Sequence, residues 1–167
     1  MRTRRILVFL AILVTSTGFD QASKQWARDT LVPGHPQAVI PGVWDYELAK
    51  NPGAAFSVFA DGTNHTATHV LFGVIAAIAL VCIGIAAART RPEQRLRRTA
   101  YALIAGGALG NLIDRIASGD VTDFVRWHYH EHMWPIFNVA DAALLVGVGL
   151  LVVENLAHSW SQRRLQT

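Results

Sequence analysis

Cysteine is almost absent: Cys82 is the single one in 167 residues and lies in an apolar run, so no intrachain disulfide or cysteine-based metal site can form. Charge is also scarce, at 16% of residues against 51% hydrophobic, and the mean hydropathy is positive. That balance fits a small multi-span membrane protein better than an ordinary soluble domain. Internal repeats, heptad seams and low-complexity stretches are missing too, which points to one domain over 1–167 without linkers. The Arg-rich start followed by an apolar core has the look of a cleaved leader. Against that reading, Thr15-Ser16-Thr17-Gly18-Phe19-Asp20 offers no Ala-x-Ala site and three further apolar segments follow.

What is present is a set of four segments with the length and character of membrane-crossing helices, predicted at 6–26, 69–88, 99–117 and 135–157. The third is dense in small residues, Ala105, Gly106, Gly107, Ala108 and Gly110, which let helices approach closely. Trp134-Pro135 reads as an interface anchor and helix opening for the fourth. The net charge of +3 and pI near 9.5 would raise nucleic acid as a partner for a soluble domain. Ten of the fifteen Lys and Arg, however, fall in three clusters: Arg2, Arg4, Arg5; Arg89, Arg91, Arg95, Arg97, Arg98; and Arg163, Arg164. With four spans all three clusters share one side, which the positive-inside tendency makes the cytoplasm. Residues 1–5, 89–98 and 158–167 are then cytoplasmic, 27–68 and 118–134 periplasmic, and no nucleic acid is expected as a partner. In the first outer segment Trp44, Tyr46 and Leu48 alternate with Asp45 and Glu47, a short strand with one apolar face, and Asn51-Pro52-Gly53 is a turn. The expected fold is an all-α membrane protein of four transmembrane helices with a small periplasmic β-cradle, residues 38–59 forming an amphipathic cover.

Against this background the polar exceptions stand out. Asp141 lies inside the otherwise uncharged run from Trp134 to Val153, where an ionisable group costs roughly 3 kcal/mol or more. At a helical rise of about 1.5 Å per residue, Asp20 lies about 21 Å beyond Ile6, and Asp141 about 10 Å inside Trp134. Asn111, Asp114 and Arg115 come late in the third span. These groups converge on one outer layer while the inner halves stay apolar, a pattern a conduction pathway would not produce. Asn138 precedes Asp141 by one helical turn and shares its face, as Asn111 does Asp114. Asp123, just beyond the third span in Gly119-Asp120-Val121-Thr122-Asp123-Phe124-Val125, can face Asp141 at the membrane lip. Two carboxylates held a few ångströms apart keep one proton between them, which is what an aspartyl protease uses: one member takes a proton from water and the other polarises the scissile carbonyl.

Five motifs then resemble those of the bacterial lipoprotein signal peptidases, the signal peptidase II family. They are Asp20-Gln21-Ala22-Ser23-Lys24; Asn51-Pro52-Gly53-Ala54-Ala55-Phe56-Ser57; the run from Gly106 to Arg115; Val121-Thr122-Asp123-Phe124; and Phe137-Asn138-Val139-Ala140-Asp141. They occur in the family's order from the first predicted span to the fourth. The resemblance implies an aspartic endopeptidase that removes signal peptides from prolipoproteins, cutting before a diacylglyceryl-modified cysteine. It implies Asp123 and Asp141 as the catalytic pair, with Asn51, Gly53, Asn111, Arg115, Asn138, Asp20, Lys24 and Asp114 as substrate-binding or positioning residues. The implied partners are the lipidated substrate and the bilayer, with the chain acting as a monomer and without metal or other cofactor.

Other features read as bland. His128, His130 and His132 would lie on one side of a strand with Glu131 opposite, a spacing suggestive of metal but also ordinary for a headgroup-level loop. Asp29, Asp45, Glu47, Asp61 and Asp120 read as solvated loop acids, and Arg126 and Lys50 as contacts for lipid phosphate. The competing functional class is a non-catalytic four-helix protein, a small transporter or assembly partner, with its acids in buried ion pairs. A presenilin-like protease would need a Gly-x-Gly-Asp signature, which is missing.

Overall fold

Apolar side chains face outward in this protein and polar ones inward. A computed structural model describes residues 2–53 and 65–164, in the order α1 (Arg2–Thr30), β1 (Gln37–Ile40), β2 (Trp44–Asn51), α2 (His65–Ala88), α3 (Arg95–Ser118), β3 (Val121–Tyr129), β4 (His132–Met133) and α4 (Val139–Arg164). Three stretches within these helices, Thr3–Thr30, Val70–Ala88 and Val139–Ser159, are long and apolar enough to cross a membrane. Their large side chains are exposed, among them Leu71, Val74, Ile78 and Val81 on α2 and Leu145, Val152 and Val153 on α4. A surface of that kind is stable only when lipid covers it. The best-buried large side chains, by contrast, are Lys24, Val121, Asn138, Asp20 and Asp123.

The helix α3 departs from the expected set. It is 24 residues long, enough for about 36 Å, but with Arg95, Arg97 and Arg98 at one end and Asp114 and Arg115 near the other it falls short of the apolarity of the other three. It packs against α1, α2 and α4, so its sides meet protein, and polar residues are tolerated there. The small residues predicted to allow close approach do so. A Cβ on Gly106 would run into Ser16 of α1, one on Gly107 into the Ala140 carbonyl and Leu144 of α4, and one on Gly110 into the Asp20 carboxylate.

The β element is larger than the expected cradle: a four-stranded antiparallel sheet ordered β1-β2-β3-β4. The predicted strand around Trp44–Leu48 is β2, and its partner β3 carries Asp123, which the sequence had placed merely beyond a span. Tyr46 and Leu48 pack with Phe124 and Val125 on Ala27 and Leu31, seating the sheet at the end of α1. Trp26 stands edge-on to Tyr46 with ring centroids 4.9 Å apart. The part of the expected cover over 54–59 lies outside the described residues.

Four local expectations need correction. Pro135 does not open α4. Phe137 instead pairs with β3 through N–H to Val125 carbonyl (3.0 Å) and the reverse bond (2.9 Å), which keeps the chain extended and delays the helix to Val139. The three imidazoles do not line one strand face, because His130 sits at the β3–β4 turn with φ 53° and only His128 and His132 are in strands. Asp45 and Glu47 are not free loop acids: Arg126 bonds Asp45 (2.6 Å) and Glu47 (2.5 Å), so that arginine is engaged within the sheet. His128 Nε2 lies 3.1 Å from the same Asp45. Among the described residues no group of three or more His, Cys, Asp or Glu is placed to hold a metal ion.

Candidate active site

At the sheet end of the bundle, the sequence places donor-only groups beside three asparagines, and each of these groups fixes the orientation of one amide. Asn51 at the end of β2 accepts the Gly53 N–H on its Oδ1 at 2.9 Å, an Asx turn that leaves Nδ2 to donate to Asp123 Oδ2, also at 2.9 Å. Gly53 has φ 103°, and a Cβ there would strike the Phe72 ring, so glycine meets both requirements. Asn111 on α3 accepts the Lys24 ammonium at 2.8 Å; an ammonium can only donate, so the receiving atom is Oδ1 and Nδ2 must face Asp141 Oδ1, at 2.8 Å. Asn138, just before α4, accepts the Asp141 N–H on Oδ1 at 3.0 Å and turns Nδ2 toward Asp123 Oδ1 at 2.6 Å and Asn111 Oδ1 at 3.2 Å.

The Asn138–Asp141 pair is therefore not the same-face helical pair expected. Asn138 caps α4, and the Asp141 carboxylate reaches back to the Asn138 N–H at 3.3 Å, a reciprocal capping box. Asp141 stands in the first turn of α4, where the aligned peptide dipoles favour a negative charge, and not deep within a span. That removes much of the cost assigned to it from the sequence. Asp141 is half-buried and reachable, whereas Asp123 is 2% exposed. Burial pushes the Asp123 carboxyl up to about 6; the Asn51 and Asn138 amides and Lys24 oppose this, and the charge of Asp141 adds to it. The two carboxyls thus lie in one electrostatic neighbourhood.

Behind this pair lies a closed ionic cluster. The fully buried Lys24 ammonium is 2.9 Å from Asp20 and 3.2 Å from Asp114. Asp20 also receives the otherwise orphan Ala140 N–H of α4 at 2.8 Å, and Asp114 the Thr122 N–H of β3 at 3.0 Å. One lysine and two acids therefore pin α1, α3, α4 and β3 together where the asparagines must stand. Arg115 bonds the Asn111 carbonyl at 3.2 Å, lies 5.8 Å from the centre of the Phe72 ring, and interacts electrostatically with Asp141, Asp123 and Asp114. Every site residue expected from the sequence thus belongs to one assembly.

Gln21, Thr17, Thr122 and Arg28 were missed. Gln21 Nε2 donates to Asp20, Asp114 and the Gly110 carbonyl, Thr17 to the Gly106 carbonyl, and Arg28 to Thr122. A signal was available: Thr17, Gln21, Lys24 and Arg28 recur at helical spacing and form one polar stripe along α1.

A family model described as Signal peptidase (SPase) II matches residues 10–157. The chain belongs to the signal peptidase II family. It is 39% identical over 150 residues to the lipoprotein signal peptidase of Syntrophotalea carbinolica, covering 89% of each chain. With that of Geobacter sulfurreducens the identity is 40% over 147 residues, covering 88% of this chain and 90% of the relative. A solved structure described as a bacterial membrane enzyme, determined by the in meso method at 2.3 Å resolution, superposes with a TM-score of 0.81 at 29% identity, covering 92% of this chain and 90% of that one. A second, at 1.9 Å, gives 0.80 at 30% identity, covering 90% and 94%. Membership implies a membrane-embedded protease, and the apolar exteriors of α1, α2 and α4 agree with the membrane location.

Proposed function

We propose that the chain is an aspartic endopeptidase of the bacterial inner membrane that removes signal peptides from diacylglyceryl-modified prolipoproteins, cutting before the lipidated cysteine. The observation that carries this reading is the pair of carboxylates from separate elements, Asp123 of β3 and Asp141 of α4, tied together through the Asn138 amide and backbone. Asp123, buried and holding its proton to about pH 6, is the member that polarises the scissile carbonyl; Asp141, at the open side, takes the proton from water. The water oxygen then bonds to the carbonyl carbon, and the tetrahedral intermediate breaks its C–N bond as the proton returns to the leaving amine. The three oriented amides keep the carboxyls in place while charge moves between them.

In this reading α3 is a fourth span and both termini are cytoplasmic, with the arginine clusters on that side and the sheet lying on the periplasmic face. A site at that depth cuts near the lipidated residue without lifting acyl chains into water, which would cost about 0.8 kcal/mol per exposed methylene. The chain works as a monomer. The test is incubation of the purified protein with a diacylated prolipoprotein and with its unlipidated form. The reading expects cleavage of the first only, and at least about a thousandfold loss for Asp123→Asn and Asp141→Asn with folding retained. Equal cleavage of both substrates would refute the lipid requirement, and a well-folded Asp141→Asn that still cuts would refute the dyad.

A further inference from the structure

At the end of the bundle opposite the sheet, a cavity of about 310 Å³ opens between the start of α1, the end of α2 and the start of α3. Arg5 and Arg98 line it together with Ile6, Phe9, Ala87 and Ala88, and among the described residues the lining includes no acid. Arg98 Nη1 is shut off from solvent and has no hydrogen-bond partner among the described residues. Its neighbour Arg97 is differently placed, bonding Glu154 of α4 at 2.7 Å and Asn155 at 2.8 Å, so Glu154 is already engaged. The Thr90 hydroxyl at the rim donates to the Ala87 carbonyl at 2.7 Å and has no proton left to offer. The cavity is thus a concave site with two guanidiniums as its cations, a buried donor in want of an acceptor, and otherwise apolar walls.

We propose that this cavity binds the phosphate of an anionic phospholipid. The phosphodiester of such a lipid presents two oxygens that share one negative charge and match a guanidinium fork, with no headgroup ammonium to be repelled by the arginines, and basic pockets between membrane helices suit anionic headgroups. The apolar walls decide between lipid and free phosphate, because Ile6 and Phe9 continue from the arginines onto the α1 surface, where Leu7 and Leu10 are exposed as a path for an acyl chain. The site does not rest on the peptidase reading, since it shares no residue with the carboxylate pair.

The test uses the full chain in a neutral detergent, with phosphatidylglycerol, phosphatidylcholine or inorganic phosphate added. Native mass spectrometry counts retained lipid, and thermal unfolding reports stabilisation. Phosphatidylglycerol is expected to be retained and to raise the unfolding midpoint, with the other two doing neither. Arg98→Gln should weaken its binding about tenfold, whereas Arg91→Gln, which removes an exposed arginine at the same end, should change it less than about twofold. Arg5→Gln carries the same expectation as Arg98→Gln and keeps the test valid if the latter misfolds. Equal stabilisation by inorganic phosphate would make this an ion site and overturn the lipid assignment, and equal losses in Arg98→Gln and Arg91→Gln would reduce it to diffuse surface charge.

Discussion

Two acid pairs lie side by side at the sheet end of this bundle, and their surroundings differ in one respect. Asp20 and Asp114 have the Lys24 ammonium between them, within 3.2 Å of each. Asp123 and Asp141 are hydrogen-bonded by asparagine amides and a backbone N–H, which orient the carboxyl groups without neutralising them, while Arg115 on both and Lys24 on Asp123 act at longer range. The first pair is therefore electrostatically satisfied and serves to lock four elements together. The second retains its mutual repulsion and its access to a proton. A cation bonded between two buried acids makes structure, whereas neutral donors in direct contact, with cations only at longer range, leave chemistry possible.

Removing the cation should erase the distinction. Lys24→Met leaves buried Asp20 without its cation and Asp114 with only the half-exposed Arg28 at 3.8 Å, and is expected to cost about 3–5 kcal/mol of stability, read by denaturant unfolding in detergent. A loss below about 1 kcal/mol would mean that the cluster holds nothing together. A smaller effect separates the pairs by pH. The folded protein holds the Asp123 proton to about pH 6, whereas an exposed aspartate releases it near about 3.9. This raised value contributes stability that is complete below about pH 4 and is lost as pH rises through about 6, up to roughly 3 kcal/mol in all. Unfolding of wild type and Asp123→Asn compared from pH 4 to 7 should show that downward slope in wild type and its loss in the variant; equal slopes would place the shift elsewhere. The smallest effect belongs to the opposite end of the bundle. Arg97→Gln breaks a partly exposed ion pair with Glu154 and should cost under about 1 kcal/mol while leaving the cleavage rate unchanged.

The helices and the polar layer were legible in the sequence because uncharged runs of span length have few other uses, and polar residues within them must find one another. Lys24 and Asp20, four apart on α1, were bound to share a face. The start of α4 was not legible from hydropathy: Trp134 to Phe137 are as apolar as the helix that follows, and only pairing with β3 holds them extended. The Asn-x-x-Asp spacing of Asn138 and Asp141 fits a capping box as well as a same-face helical pair, and only the position of the helix start separates the two. The helix α3 was legible by length, while its polar ends are accommodated by packing against three other helices. The extent of the sheet was hidden because Asp123, Thr122 and Val121 are buried together on β3, which erases the alternation that marks a half-buried strand.

Whether Asp123 and Asp141 act as a unit can be measured directly from the rates of prolipoprotein cleavage by Asp123→Asn, Asp141→Asn and the double variant. A shared mechanism predicts that the double variant is no slower than the worse single one, within about threefold. Losses that multiply, or a single variant that cuts at the wild-type rate, would show two independent carboxylates and contradict the account.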